Sequence, residues 1–333
     1  MPERVALYLQ DDFPLQEAIS YVKYAEARGF EAVWQAESRL VRDSVIAVAA
    51  YAATTTRIKI GTGVMNIYTR NVATIASEFL TLDDIAPDRI LCGLGAWHDD
   101  IANRVGIERG KYLLAMREVV TTVRHLLSLK PVTYRGQFVQ LNDIQLDVTV
   151  GRTEARRIPM YMAATGSKML ALAGDIADGV LLNYMVSPKY NEMAIRELEQ
   201  GLKVSGREIY DIDRPQLIMC SVDNDRDTAL DASRKLVTQF IMQQPKLMRA
   251  NGIPQALIDD ILHLRPYSSE QLDYASKLIP DDIVTLVTAS GTPDDVREKV
   301  REYVRSGTTC PVLYPLNRNV RALIDAFASG YSR

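Results

Sequence analysis

The stretch RIKIGTGVMNIYTRN, residues 57–71, begins as a buried β-strand and ends in an unusual way. Its first four letters, RIKI, carry the β-branched side chains that favour a strand. The glycine-rich letters GTG follow, then Val64, then a run of polar and aromatic side chains that begins at Asn66. Glycine inside a strand commonly marks a bend or a close approach of a ligand. The stretch therefore predicts a strand end with a function.

Short apolar segments of this kind alternate with amphipathic helical segments along the 333 residues. Strands that are apolar throughout and separated by helices predict a parallel sheet covered by helices. Eight such units predict a (β/α)8 TIM barrel, for which the length is normal. The alternative is an open doubly wound sheet, but its first turn usually carries glycines and LQDDFP here has none. The predicted strands are residues 5–9, 30–36, 57–64, 89–95, 157–164, 178–184, 215–222 and 309–316.

Two segments interrupt the alternation. VTYRGQFVQLNDIQL predicts a hairpin-like insertion over residues 131–150, after the fourth helix. Residues 244–290, after the seventh strand, contain several prolines and predict an irregular or helical insertion. We expect one barrel domain over residues 1–333 with these two insertions.

Composition narrows the class of protein. Hydrophobic residues make up 47% of the chain, which argues against disorder, and a net charge of -3 argues against a nucleic-acid partner. Three cysteines without metal-ligand spacing indicate a reducing compartment, and no metal site is predicted. No segment has the pattern of a signal peptide or the length of a membrane span. We expect a soluble cytoplasmic protein.

In a TIM barrel the active site lies at the carboxyl ends of the strands. His98 is the one histidine of three that follows a predicted strand, so it is the best titratable candidate; the alternative is a rim histidine without a chemical role. The candidates at the predicted strand ends are Glu37, Gly63, Val64, Asn66, Gly95, His98, Thr165, Gly166, Ser167 and Asn183.

Two further patterns concern cofactors. AATGSK, residues 163–168, opens a helix directly after a strand, so its backbone N–H groups could bind an anion; the alternative is an ordinary turn. GLGAWH and GTGVMN both fail the GxGxxG pattern of dinucleotide-binding folds at the last position.

Trp34 and Trp97 are either aromatic side chains of the core or the walls of a flat, mostly apolar slot that binds a planar ring system. Since no nucleophile and base form a pair, an enzyme with this sequence would depend on a cofactor.

Several of these motifs together resemble one family. IKIGTGVMNIYTRNVATIASEFLTLDDIAPDRILCGLG, IPMYMAATGSKMLALAGDIADGVLLN and GTPDDVREKVREYVRSGTTCPVLYPL are similar to segments of the bacterial-luciferase-like oxidoreductases, TIM barrels that bind FMN or coenzyme F-420. The resemblance covers nearly the whole chain, least so at residues 245–280. GVMNIYTRNVATIASEFLTLDDI most resembles the branch of methylenetetrahydromethanopterin reductase and related F-420-dependent enzymes.

The resemblance implies a site. In that branch a cis peptide bond, here Gly63–Val64, forms a bulge behind the ring of the deazaflavin. The phosphate would lie on the turn at Gly166 and Ser167, and Glu37 and Asn66 would face the ring. An iminium substrate would need little side-chain chemistry, whereas a ketone or alcohol would need a proton partner, for which the catalytic candidates are His98 and Glu37. With the residues at the other strand ends included, the predicted cofactor-binding residues are Gly63, Val64, Asn66, Gly95, Thr165, Gly166, Ser167 and Asn183.

The expected reaction is hydride transfer between C5 of coenzyme F-420, an 8-hydroxy-5-deazaflavin, and a small organic or pterin-type substrate. One alternative is an FMN-dependent monooxygenase that a separate flavin reductase supplies with reduced flavin. Another is a flavin-binding barrel without catalysis. By analogy with the family we expect a homodimer or homotetramer with a small-molecule substrate, and neither a nucleic-acid nor a membrane partner.

Overall fold

The computed structural model describes residues 4–264 and 268–328. The first half of the chain contains β1 (Ala6–Leu9), α1 (Leu15–Ala27), β2 (Ala32–Gln35), α2 (Ser44–Thr54), β3 (Lys59–Thr62), β4 (Met65–Asn66), α3 (Val72–Ile85), β5 (Ile90–Gly95), α4 (Asp99–Arg104), α5 (Tyr112–Leu126), β6 (Val132–Arg135) and β7 (Gln140–Ile144). The second half contains β8 (Met160–Ala164), α6 (Ser167–Ile176), β9 (Gly179–Leu182), α7 (Tyr190–Val204), a 3-10 turn (Ile209–Asp211), β10 (Pro215–Val222), α8 (Arg226–Gln243), α9 (Pro245–Ala250), α10 (Gln255–His263), α11 (Ser269–Ser276), α12 (Asp281–Val287), β11 (Ala289–Gly291), α13 (Pro293–Arg305), β12 (Cys310–Pro315) and α14 (Val320–Ala326).

Eight parallel strands close into a barrel in the order β1-β2-β3-β5-β8-β9-β10-β12, and β12 pairs with β1 again. This confirms the predicted (β/α)8 barrel and all eight predicted strands. The short strands β4 and β11 add to its rim beside β5 and β10. No helix in the described part of the chain is long and apolar enough to cross a membrane.

Large side chains fill the barrel interior. Trp34 on β2 is only 2% exposed and its ring packs edge-on against Tyr161 on β8, with centroids 4.9 Å apart. A Cβ at Gly61 would lie 2.6 Å from Trp34 Cε3, so the first glycine of GTG makes room for this indole. Of the two predicted roles for Trp34, the core aromatic is therefore correct.

The two predicted insertions, residues 131–150 and 244–290, form different secondary structures. β6 and β7 form an antiparallel pair. Glu118 on α5 fixes the turn between them, because its carboxylate accepts hydrogen bonds of 2.7–2.9 Å from the backbone N–H groups of residues 137–139. The proline-containing segment forms the short helices α9 to α12. Helix α9 begins at Pro245, while Pro254 and Pro280 directly precede α10 and α12. At the start of a helix the missing N–H of proline costs nothing. That these segments are insertions in a single domain stays a prediction.

Candidate active site

The strand end at β3 forms a bulge. The Gly63–Val64 peptide bond is cis, as the family resemblance implied. Room for the Val64 side chain comes from β5: a Cβ at Gly95 would lie 2.5 Å from Val64 Cγ2, and one at Gly93 would lie 3.2 Å from Val64 Cγ1. The same position at Gly95 is 3.8 Å from Ala163 Cβ on β8. The bulge, Gly95 and the strand that leads to the AATGSK turn thus lie side by side.

Glu37 and Asn66 bind each other directly. Glu37 Oε2 accepts hydrogen bonds of 2.9 Å from both the backbone N and the side-chain Nδ2 of Asn66. Asn66 Oδ1 in turn accepts from the backbone N–H groups of Tyr68 and Thr69 at 3.0 Å. Both side chains are buried and their polar atoms are occupied. This geometry holds the segment after the bulge in place.

Arg70 fixes the other oxygen of Glu37. Its NH2 group lies 2.7 Å from Glu37 Oε1 and 2.6 Å from Asp43 Oδ2, and its Nε lies 3.3 Å from Glu78 Oε1. One guanidinium thus serves three carboxylates. Burial raises the pKa of Glu78 above its ordinary value, and the Arg70 charge offsets only part of that effect. The cluster connects the segments that follow β2 and β4 to the N-cap of α2 and the second turn of α3.

The turn between β8 and α6 is open. Thr165, Gly166, Ser167 and Lys168 are all exposed, and no side chain caps the ten-residue helix that follows. A Cβ at Gly166 would meet no atom within 4 Å. The first N–H groups of α6 therefore face solvent next to a lysine, which is the electrostatic arrangement that anions favour.

The two remaining predicted residues, His98 and Asn183, lie just past the ends of β5 and β9. His98 is exposed at the start of α4 and makes no side-chain cap. Arg109 shapes that loop by donating hydrogen bonds to the carbonyl oxygens of Ala96 and Trp97, at 2.7 and 2.6 Å. Asn183 is half-buried one residue past β9, and its carbonyl accepts from Gln216 at 3.4 Å.

A tyrosine cluster outside the set of predicted site residues lies at the same end of the barrel. The Tyr314 ring on β12 is 4.9 Å from the ring of Tyr8 on β1 and 6.1 Å from that of Tyr184, which follows β9. The Tyr314 hydroxyl donates to Gln10 Oε1, and Gln10 Nε2 donates to Ser38 Oγ at 2.6 Å. These side chains give the mouth of the barrel a polar edge above an apolar floor.

Comparisons with known proteins identify relatives of this chain. A family model described as luciferase-like monooxygenase matches residues 2–310. The methylenetetrahydromethanopterin reductase of Archaeoglobus fulgidus is 32% identical over 302 residues, which cover 90% of this chain and 89% of that protein. An F-420-dependent glucose-6-phosphate dehydrogenase of Kineococcus radiotolerans is 25% identical, with coverages of 96% and 93%. The solved coenzyme F-420-dependent tetrahydromethanopterin reductase from Methanopyrus kandleri superposes with a TM-score of 0.87 at 26% identity, covering 98% of each chain.

Proposed function

This chain belongs to the luciferase-like monooxygenase family, and from that membership we propose that it is an F-420-dependent oxidoreductase. It transfers a hydride between C5 of the deazaflavin and a small organic or pterin-type substrate. The relatives at 25–32% identity are named as enzymes of this kind, and they span nearly the whole chain.

One structural observation carries the assignment of the site. The Gly95 position is in contact distance of both Val64 at the bulge and Ala163 on β8, so the bulge lies beside the strand that leads to the open turn at Gly166. In this proposal a single ligand contacts the bulge with a planar ring at one end and the turn with a phosphate at the other end. Gly63, Val64 and Gly95 would hold the ring, and Thr165, Gly166 and Ser167 the phosphate. Asn183, half-buried one residue past β9, belongs to the proposed cofactor-binding set as well.

The remaining side chains position and shield the cofactor. When bound, coenzyme F-420 supplies the hydride-exchanging carbon. Glu37 and Asn66 keep the segment after the bulge from moving, since each occupies the polar atoms of the other. Trp34 and Tyr161 fill the barrel below and exclude water from that side. Glu37 acts in this proposal through Asn66 and Arg70, and His98 at the rim is the proposed proton carrier to solvent.

Cofactor binding tests the proposal. The purified protein is titrated with oxidised F-420 and, separately, with FMN, and binding is followed by the fluorescence of each ring. We expect saturable binding of F-420 with a dissociation constant in the micromolar range or below, on the order of 8 kcal/mol, and weaker binding of FMN. Tight binding of FMN without binding of F-420 would support the alternative, a monooxygenase served by a flavin reductase. Tight binding of either cofactor without turnover of any substrate would support the non-catalytic barrel.

Assembly and location complete the proposal. A homodimer or homotetramer is supported by apolar side chains exposed before and on α2: Leu40 is 55%, Val41 54% and Ile46 66% exposed. Light scattering after size-exclusion chromatography measures the assembly. We also propose a cytoplasmic location, which is in keeping with the three separate buried cysteines.

A further inference from the structure

Tyr8 lies at the mouth of the barrel, and the proposed function gives its hydroxyl group no role. Its ring lies directly under the bulge: a Cβ at Gly63 would be 3.1 Å from Tyr8 Cε2. The residue is only 5% exposed and belongs to the cluster of side chains that fills the barrel interior. It is therefore held rigidly beside Gly63, one of the three residues proposed to hold the cofactor ring.

The Tyr8 hydroxyl has no hydrogen-bond partner among residues 4–264 and 268–328. The neighbouring Tyr314 hydroxyl, in contrast, is committed to Gln10. Among the described residues, several buried side-chain polar atoms have neither solvent contact nor a hydrogen-bond partner. The hydroxyl of Tyr68 is one of them, but the hydroxyl of Tyr8 is not. The Tyr8 hydroxyl is therefore not completely enclosed by protein atoms, and its neighbours Tyr314 and Tyr184 place it on the side of the mouth. Buried hydroxyl groups of native proteins generally have a partner. A bound ligand would supply one.

The protonation state of this phenol follows from its surroundings. Burial, followed by the nearby Tyr184, Tyr314, Asp11 and Asp12, raises the pKa of Tyr8 well above its ordinary value. The group therefore carries its proton at every working pH and offers a neutral O–H donor. It does not serve as a base in the resting state.

We propose that Tyr8 is a catalytic residue that donates a hydrogen bond, and then a proton, to the oxygen on the hydride-exchanging carbon of the substrate. This inference rests on the proposed function and narrows it: the substrate is a carbonyl compound or its alcohol. An iminium carbon needs no such donor, because its nitrogen has no free electron pair for the Tyr8 O–H.

The chemical balance is that of carbonyl reduction. The carbonyl carbon gains a hydride from reduced F-420, which becomes oxidised, and a new C–H bond forms. The electron pair of the C=O π bond moves to oxygen, which takes the proton of Tyr8 as the phenol O–H bond breaks. Water at the mouth returns a proton to the phenolate. The reverse sequence oxidises the alcohol.

Tyr8→Phe tests the role with little risk to the fold, since it removes only an oxygen that has no partner. The matched control is Tyr21→Phe on the outer face of the barrel, where the hydroxyl donates to Glu17 on the same helix. Both variants and the wild type are assayed with reduced F-420 and a fixed panel of acetone, cyclohexanone and benzaldehyde, and with methylenetetrahydrofolate as the iminium-type probe. The dissociation constants of oxidised F-420, and of cyclohexanone for the F-420 complex, are measured by fluorescence quenching.

We expect the wild type to reduce at least one carbonyl compound and Tyr8→Phe to lower that rate by about a hundredfold or more, the usual scale for loss of a general acid. Cyclohexanone should bind about tenfold more weakly, while F-420 affinity and melting temperature stay unchanged and Tyr21→Phe matches the wild type. Unchanged carbonyl reduction in Tyr8→Phe, or no reduction of any panel compound by the wild type, would overturn the role of Tyr8. Failure of the wild type to bind F-420 would instead overturn the proposed function, so the two failures are distinct.

Discussion

Glu37 holds Asn66 by two hydrogen bonds of 2.9 Å from one carboxylate oxygen, one to the backbone and one to the side chain. Asn66 is only two residues beyond Val64, so this contact fixes the exit of the chain from the bulge. Arg70 holds the second oxygen at 2.7 Å. A carboxylate with both oxygens engaged positions its neighbours.

Glu37→Gln should therefore act on structure and on cofactor affinity together. It removes the charge that Arg70 pairs with, and we expect the free energy of unfolding to fall by about 2 kcal/mol, the scale of a hydrogen bond to a charged group. Urea unfolding measures it. Asp43→Asn is the matched control: it keeps a helix cap and removes a 40%-exposed partner of the same arginine, so it should cost less than about 1 kcal/mol. If the control costs as much as Glu37→Gln, the positioning role is wrong.

Gly95→Ala tests the pocket for Val64. The added methyl group would meet Val64 Cγ2 at 2.5 Å, so the bulge must shift. We expect a loss of about 1 to 3 kcal/mol in stability, as for other overpacked sites, and a clear loss of F-420 affinity in a fluorescence titration. Full affinity in a folded Gly95→Ala variant would show that the ring does not depend on the position of Val64.

Gly166→Leu separates cofactor binding from folding. A Cβ at this position meets no atom within 4 Å and the backbone lies in the extended region, so the melting temperature should stay within a few degrees of the wild type. A bulky side chain over the first N–H groups of α6 should weaken F-420 binding by about tenfold or more, equal to about 1.4 kcal/mol. Gly206→Leu is not a suitable control because its φ of 69° would itself add strain. Ser205→Leu, at the exposed C-terminal end of α7, serves instead. Equal affinities in the two variants would remove the phosphate site from the turn.

Glu118 gives the protein an acid-sensitive contact. Burial favours its neutral form, but the N–H groups of Val139, Gln137 and Phe138 outweigh burial and hold the pKa of Glu118 below its ordinary value. The stabilisation is thus complete above about pH 4.3, the pKa expected in the unfolded chain, and is lost as the pH falls through the lower pKa of the folded protein. Urea midpoints measured across this range should decline more steeply in the wild type than in Glu118→Gln. Parallel declines would contradict the contact.

The fold was predictable because its signal is local. Eight apolar segments with helices between them suffice for a closed parallel barrel, and the actual strands lie within the predicted segments. The helices α9 to α12 were less clear, since their prolines suggested irregular chain, whereas proline is favourable at a helix start.

The site was only partly predictable because its contacts join residues that are far apart in the sequence. Glu37 and Asn66 were each identified at a strand end, but a bond across 29 residues cannot be read from either segment. Tyr8 lies within β1, one position before its last residue, so it is not among the residues that follow the strands. The sequence feature that could have indicated its role is a tyrosine in an otherwise aliphatic strand. The exposure of His98 depends on the path of a loop in which Trp97 has a φ of 54°, and that path has no sequence signature. The roles of the predicted site residues stay predictions.

We propose that hydride transfer by F-420, without oxygen, is the chemistry of this barrel. Substrate conversion is measured with reduced F-420 and with reduced FMN, each under anaerobic and aerobic conditions with an oxygen electrode. We expect conversion with reduced F-420 at the same rate with and without oxygen, and no oxygen consumption linked to product. Conversion that requires reduced FMN and consumes oxygen in step with product would contradict it.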